Sequence, residues 1–333
     1  MKAVFLGRKD VIDRVYLKNT KETLKKYLDI DTELTVPTDR IREYSELLRE
    51  TDFIFSSWGM PTPDSKTVSE IFSKLKGIYY AAGSVQTFAR PFFENNVKIY
   101  SAWAANGVPV AEYTTAQIIL ANKGYFWTSR YQSKGNREKA IEKIDRIFGN
   151  WDCKVGLIGV GMIGSLVAQM LKSYRLEVLV YDPFLSEKRA RELGVKKVTL
   201  EEIFSTCNTT SNHLADNDQT AGIINGELLS KMSETVTFIN TGRGRQVDET
   251  ALAEFMAFHP FATALLDVTF PEPPEKNSPL YTLDNVFLTP HIAGSLGKEV
   301  ARMGEYMLEE FLRVQKGEKA LYEVTPKMLE TMA

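Results

Sequence analysis

Short apolar runs alternate with stretches of helical spacing along the first hundred residues. Ala3–Gly7 is an apolar run, Lys21–Leu28 has helical spacing, and Glu33–Val36 is brief and β-like. Asp39–Arg49 carries Ile41, Tyr44, Leu47 and Leu48 at helical spacing. Phe53–Phe55 reads as a buried strand, and Ser65–Leu75 as a helix with Val68, Ile71, Phe72 and Leu75 on one face. Gly77–Ala81 and Val97–Tyr100 are further strands. Strands that alternate with helices predict a parallel sheet covered on both faces.

Val110–Leu120 is predicted as a long helix, with Pro109 suited to its first turn. Asn122–Gly149 is charged but carries Tyr125, Phe126, Trp127, Tyr131 and Phe148, with Trp151 just beyond. Two readings stand for this stretch, a solvated helix or a partner surface. The alternation then restarts. Val155–Ile158 and Val178–Tyr181 read as strands, and Ile163–Tyr174 and Glu187–Leu193 as helices. Short strands follow near Thr209–Asn212, Thr235–Asn240, Thr263–Val268 and Val286–Leu288, and Leu296–Gln315 closes the chain as a long helix. The fold class is therefore α/β, with two doubly wound parallel-sheet domains bridged by the helices at Val110 and Leu296.

Composition narrows the function classes. The 333 residues are 44% hydrophobic and 25% charged, with a net charge of −2. These are ordinary globular values for two domains. They exclude disorder and remove the simplest case for nucleic-acid binding, which needs a basic surface. Cys153 and Cys207 are far apart and form no CxxC, so neither a metal site nor a redox pair is expected. The apolar run near the N-terminus is too short for a signal-peptide core, and no run is long enough to span a membrane. The expected location is the cytoplasm.

The clearest chemistry lies at Gly159-Val160-Gly161-Met162-Ile163-Gly164, a GxGxxG between a buried strand and an amphipathic helix. Asp182 follows at the end of the next strand. In this context Gly159 allows a tight turn, Gly161 lets backbone approach a pyrophosphate, and Gly164 lets helix pack on strand. The helix N-terminus at Met162 and Ile163 presents free N–H groups to phosphates. Asp182 would accept from the adenosine ribose hydroxyls and repel a 2′-phosphate, which favours NAD over NADP.

Three more segments place polar residues at the carboxyl ends of predicted strands, where open α/β sheets bind ligands. They are Asn240-Thr241-Gly242-Arg243-Gly244, Asp267-Val268-Thr269-Phe270-Pro271-Glu272-Pro273 and Thr289-Pro290-His291-Ile292-Ala293-Gly294. In this order, after the glycine loop, the chain resembles the D-isomer-specific 2-hydroxyacid dehydrogenases over nearly its whole length. The resemblance implies a Rossmann NAD-binding domain, residues 105–295, inserted in a flavodoxin-like substrate-binding domain, residues 1–104 with 296–333. Residues 121–150 would serve as a dimerisation arm in a homodimer.

The resemblance also implies roles. Arg243 would bind the substrate carboxylate through its planar fork. His291 would be the general acid/base, oriented and favoured in its charged form by Glu272. Asp267 would hold the nicotinamide carboxamide, Thr241 and Gly242 would line its pocket, and His213 and Gly294 would lie by the cofactor. Backbone N–H groups of Ala82-Gly83-Ser84 would take the carboxylate, with the substrate in a cleft closed between domains. Trp58 either borders that cleft or is an ordinary core residue. His259 reads as structural, and Arg245 as a solvated neighbour of Arg243.

Some positions depart from the family pattern. His213-Leu214-Ala215-Asp216 lacks the usual proline, Trp103-Ala104 replaces Pro-Gly, and Thr241-Gly242 stands where relatives more often carry Ala or Ser. The expected activity is NAD-linked interconversion of a small 2-oxo acid, such as glyoxylate or hydroxypyruvate, and its D-2-hydroxy acid. Phosphoglycerate dehydrogenase is the alternative, and an NAD-sensing interaction protein of the corepressor type is the alternative of another class. A formate-type enzyme is disfavoured, because those relatives carry glutamine at the place of Glu272.

Overall fold

The computed structural model describes residues 1–330. The chain forms two compact units. One is Met1–Gly107 with the residues from Ser295 onward, and the other is Val108–Gly294.

The first unit is built on β1 (Ala3–Leu6), β2 (Thr35–Val36), β3 (Phe53–Ser56), β4 (Gly77–Tyr80) and β5 (Lys98–Ser101). They pair in the order β2-β1-β3-β4-β5, all parallel, the flavodoxin-like order. One strand departs from the expected all-parallel sheet: Glu323–Val324 pairs antiparallel with β5. An edge position permits this, because only one neighbour must be matched.

Both faces of the sheet are buried, so its strands are continuously apolar. Val4 and Leu6 join Ile54, Ile78 and Ile99 on one side. Ala3 and Phe5 join Phe55, Tyr79 and Tyr100 on the other. There Tyr79 stacks on Phe55 at 5.1 Å and on Tyr100 at 4.7 Å. The helix Glu299–Gln315 covers this face with Met303, Met307 and Phe311. It starts three residues later than the spacing suggested. Asp39–Arg49 is also not one helix. It divides into a 3-10 turn, Thr38–Arg40, and a helix, Ser45–Arg49, because Tyr44 leaves helical geometry at φ −100°, ψ 17°.

The second unit contains β6 (Trp151–Ile158), β7 (Arg175–Tyr181), β8 (Lys196–Lys197), β9 (Thr209–Asn212), β10 (Thr237–Asn240), β11 (Thr263–Leu266) and β12 (Val286–Leu288). Their order, β8-β7-β6-β9-β10-β11-β12, is the Rossmann order with one strand added, and all pairs are parallel. The order reverses between β6 and β9. Val155, Leu157, Val180 and Ile239 face one core, while Ile158, Phe204, Phe238 and Phe255 face the other.

The helix Trp103–Asn122 begins well before the predicted Val110, so Pro109 lies inside it rather than in its first turn. The residues from Trp103 to Val108 extend the helix upstream, and Pro109 has no N–H to return to the preceding turn. In the arm-like stretch, Trp127 and Tyr131 turn inward against Ala140 and Phe261. Lys143 Nζ donates to the Phe261 carbonyl there, and burial pushes its amine down to about 8. Tyr125, Phe148 and Trp151 remain exposed. Among the described residues, no helix is long and apolar enough to cross a membrane.

Two contacts give testable consequences. A Cβ on Gly304 would lie 2.3 Å from the Val15 carbonyl oxygen, a backbone atom that cannot swing away. Gly304→Ala should therefore destabilise the protein by about 1–3 kcal/mol in chemical denaturation. Near-wild-type stability would mean that the helix Glu299–Gln315 moves freely away from the helix Lys9–Val15. In the other unit, Asp248 caps the helix Glu249–Phe258, and Glu249 Oε1 accepts from the Phe270 N–H at 2.7 Å. Burial pushes this carboxyl up from 4.5 to about 7. The folded chain thus binds the proton more tightly than the unfolded one. The stability Glu249 contributes is present below its ordinary value and lost as pH rises through about 7. The Tm of Glu249→Gln should gain on wild type between about pH 5 and about pH 8, and a pH-independent difference would contradict this.

Candidate active site

The chemistry-bearing loops of the second unit all leave the carboxyl ends of its strands. The first follows β6 at the reversal of strand order, and its glycines answer to different constraints. Gly159 has φ +87°, and a Cβ there would lie 2.9 Å from the His213 carbonyl oxygen. On Gly164 a Cβ would meet the Gly159 carbonyl oxygen at 2.1 Å. By contrast, the space above Gly161 is open within 4 Å. Gly161 is the N-cap of the helix Met162–Leu171, and no side chain caps that helix. Its first N–H groups, including those of Met162 and Ile163, face that end with the positive pole of the helix dipole.

Asp182 ties the loop down. Its Oδ2 accepts from the Val160 N–H at 2.9 Å, and its Oδ1 from the Phe184 N–H at 2.8 Å. Each oxygen retains a lone pair. Beside it a cavity of about 460 Å³ is lined by Asp182, Val198, Ile223, Asn225 and Leu228 among others. An open glycine cradle, uncapped N–H groups and an acceptor beside a cavity of mixed apolar and polar lining fit the phosphates, ribose and base of a dinucleotide.

His213 follows β9, next to the cradle. Both of its ring nitrogens are enclosed without a partner, and burial pushes its pKa down to about 4, so the ring is neutral near pH 7. Two enclosed, orphaned nitrogens mark a place where a bound molecule could supply the missing bond.

The next three loops come from the adjacent strands β10, β11 and β12. Arg243 is half-buried, and its Nη1 donates to the Gly242 carbonyl at 2.8 Å. No ion pair with Arg243 forms among the described residues, which leaves most of its donors free. Thr241 is buried, with its hydroxyl 3.1 Å from that of Thr114. Glu272 Oε1 accepts from His291 Nδ1 at 2.8 Å, and both side chains are accessible, at 42% and 45% exposure. A carboxylate on Nδ1 assigns the proton to that nitrogen and leaves Nε2 to exchange one with a ligand.

His291 has φ +55°, which a residue with a Cβ adopts at a cost of about 1–2 kcal/mol. Asp267 holds the turn. Its Oδ1 accepts from the Thr289 hydroxyl at 2.6 Å and the Ile292 N–H at 2.8 Å. Its Oδ2 accepts from the Ala293 N–H at 2.9 Å. Tyr113 extends the network to Thr289 at 3.2 Å. Asp267 is only 3% exposed, so anchoring this turn is a duty the sequence did not reveal. Gly294 ends the same turn.

Glycine loop, Asp182, His213, Thr241, Gly242, Arg243, Asp267, Glu272, His291 and Gly294 thus belong to one unit. Ala82, Gly83, Ser84 and Trp58 belong to the other. Trp58 is 37% exposed, which removes the reading of an ordinary core tryptophan. His259 is structural, its Nδ1 2.9 Å from the Phe255 carbonyl. Arg245 is not merely solvated, because it pairs with Asp216 at 3.0 Å and Asp218 at 3.3 Å. Sequence reasoning missed Asn212, Gln246 and Glu249. The signal available was Asn212, a polar amide at the end of the strand β9.

Comparison with known proteins bears on this site. Residues 115–293 match the family described as D-isomer specific 2-hydroxyacid dehydrogenase, NAD binding domain. The D-3-phosphoglycerate dehydrogenase of Archaeoglobus fulgidus is 32% identical over 224 residues, covering 67% of this chain and 42% of that protein. The chain thus spans less than half the length of that relative. The glyoxylate reductase of Korarchaeum cryptofilum is 31% identical over 209 residues, covering 62% of this chain and 63% of that one. A D-isomer specific 2-hydroxyacid dehydrogenase from Lactobacillus delbrueckii ssp. bulgaricus, solved in its NAD-complexed form, shares the fold. It has a TM-score of 0.78 at 19% identity, covering 98% of this chain and 100% of that one. NAD is the cofactor of the matched domain, and the chain belongs to the D-isomer specific 2-hydroxyacid dehydrogenase family.

Proposed function

We propose that the protein interconverts a small 2-oxo acid and its D-2-hydroxy acid. The observation that carries this reading is the Glu272–His291 pair, on the same strand-end edge as an arginine with no carboxylate partner among the described residues. Free donors on Arg243 suit a substrate carboxylate, which a guanidinium grips through two parallel hydrogen bonds. His291 Nε2 gives a proton to the substrate oxygen in reduction and takes it back in oxidation. Glu272 holds the ring in the tautomer and orientation that this exchange needs. Bound NAD would supply or accept the hydride, held by the N–H groups at Met162 and Ile163 and by Asp182 at the ribose. Thr241, Gly242, Gly294 and His213 would line its nicotinamide side, with Asp267 beside them.

Met1–Gly107 with the residues from Ser295 onward is the proposed substrate-binding domain, through Ala82, Gly83, Ser84 and Trp58. Glyoxylate or hydroxypyruvate suits the reading of a short oxo acid. Phosphoglycerate oxidation is the second reading, favoured by the match to the Archaeoglobus fulgidus protein. Exposed Tyr125, Phe148 and Trp151 support a homodimer built through residues 121–150. A cytoplasmic location goes with this reading.

The decisive experiment mixes purified protein and NADH with glyoxylate, hydroxypyruvate, pyruvate, bulkier oxo acids and phosphohydroxypyruvate. Loss of NADH absorbance with one of them is expected, and silence across the panel with NADH bound would refute the assignment. His291→Ala should lower kcat by roughly 100-fold or more while NADH affinity stays near wild type. Retained turnover would remove His291 from the chemistry. Asp182→Lys should weaken NADH binding in a fluorescence titration. An unchanged dissociation constant would show that the carboxylate does not serve the ribose.

A further inference from the structure

A buried amide clamp joins the loop that carries Arg243 to the loop that carries His213. Gln246 is fully buried, and each hydrogen-bonding position of its side chain is filled. Its Oε1 accepts from the Arg243 N–H at 3.1 Å and from Asn212 Nδ2 at 2.8 Å. Its Nε2 donates to the carbonyls of Leu214 at 3.1 Å and Ala215 at 2.9 Å. Asn240 completes the set. Its Oδ1 accepts from Asn212 Nδ2 at 3.0 Å and the Gly242 N–H at 3.1 Å, and its Nδ2 donates to the Arg243 carbonyl at 3.1 Å.

The clamp also accounts for Gly242. A Cβ there would lie 2.9 Å from both Asn212 Nδ2 and Gln246 Oε1. The residue before the arginine must therefore be bare while the two amides occupy that space. On the other side, the carbonyls that Gln246 grips belong to the segment after His213, where the stiffening proline is missing. Two departures from the family pattern thus meet at one side chain.

We infer that Gln246 is a positioning residue with two separable duties: its oxygen seats the backbone of Arg243, and its nitrogen holds the His213 loop beside the cofactor cradle. The proposal deepens the reading of Arg243 and the glycine loop as parts of one dehydrogenase site, and it rests on that reading.

Two variants separate the duties. Gln246→Leu removes both sets of bonds and leaves buried partners unpaired. It should raise the KM for the oxo acid and the NADH dissociation constant together, each by roughly tenfold or more, since misplaced contact groups lose binding steeply. Gln246→Glu keeps the accepting oxygen and replaces the two N–H donors by a carboxyl oxygen that donates at most once, and only when protonated. It should raise the NADH dissociation constant while the KM at saturating NADH stays within about twofold, an outcome that general loosening would not produce. Hydrogen exchange at the Arg243 amide reads the clamp without turnover. It should quicken in Gln246→Leu and stay slow in Gln246→Glu. Where Gln246→Leu does not fold, Gln246→Glu carries the test alone. Equal changes in both constants with Gln246→Glu, or unchanged constants with Gln246→Leu, would overturn the inference. If the wild type reduces no oxo acid, the functional reading fails, and exchange at Arg243 alone decides the clamp.

Discussion

Parallel strand direction is the constraint on which the second unit depends. Because β6 and β9 to β12 all run the same way, every carboxyl end lies on one edge of the sheet. The glycine loop, the His213 loop, the arginine turn, the glutamate segment and the histidine turn therefore emerge side by side from distant parts of the chain. Main-chain bonding to neighbours satisfies the strands, so most of their side chains serve the two faces, while Asn212 and Asn240 at the strand ends bond across to the loops. The polar chemistry is left to the loops.

Loops so placed must be held without a ladder of their own, and buried polar groups hold them here. Asp267 fixes the turn that keeps His291 at positive φ, and Glu249 ties the backbone of Phe270, two residues before Glu272. Gly244 lies against the same segment, where a Cβ would be 2.0 Å from the Thr269 carbonyl carbon. Gln246 and Asn240 do the same for the arginine turn. A buried network of this kind is stabilising only when every member is paired, which rigidifies one arrangement and penalises the others. The residues that would meet substrate and cofactor are the exceptions. Arg243 has unused donors, both ring nitrogens of His213 lack a partner, and His291 keeps one nitrogen for a ligand.

Much of this was legible in the chain. Alternating apolar runs and helical spacing set the α/β class, because strands buried on both faces must be continuously apolar and covering helices must be amphipathic. The glycine loop was legible because close backbone approach admits no other residue at Gly159 and Gly164. The segments that carry Arg243, Glu272 and His291 stood out as polar loops after apolar strands, and the family resemblance singled out the three residues. Helix limits were less legible. Pro109 looked like a first-turn residue, yet the helix extends upstream of it to Trp103, and Asp39–Arg49 breaks at Tyr44 although its spacing is helical. Packing in three dimensions overrides such local preferences.

The sequence by itself determined the elements, their order, and the residue types at each strand end, since these follow from local periodicity and from steric limits at single positions. Only the tertiary structure decided which buried side chains bond across loops. Asp267 was seen to anchor the His291 turn, Trp127 and Tyr131 faced inward, and Gln246 joined two loops more than thirty residues apart in the chain. Such pairings depend on strand order and register, which bring distant polar atoms within hydrogen-bond reach, and no local pattern in the chain encodes that distance.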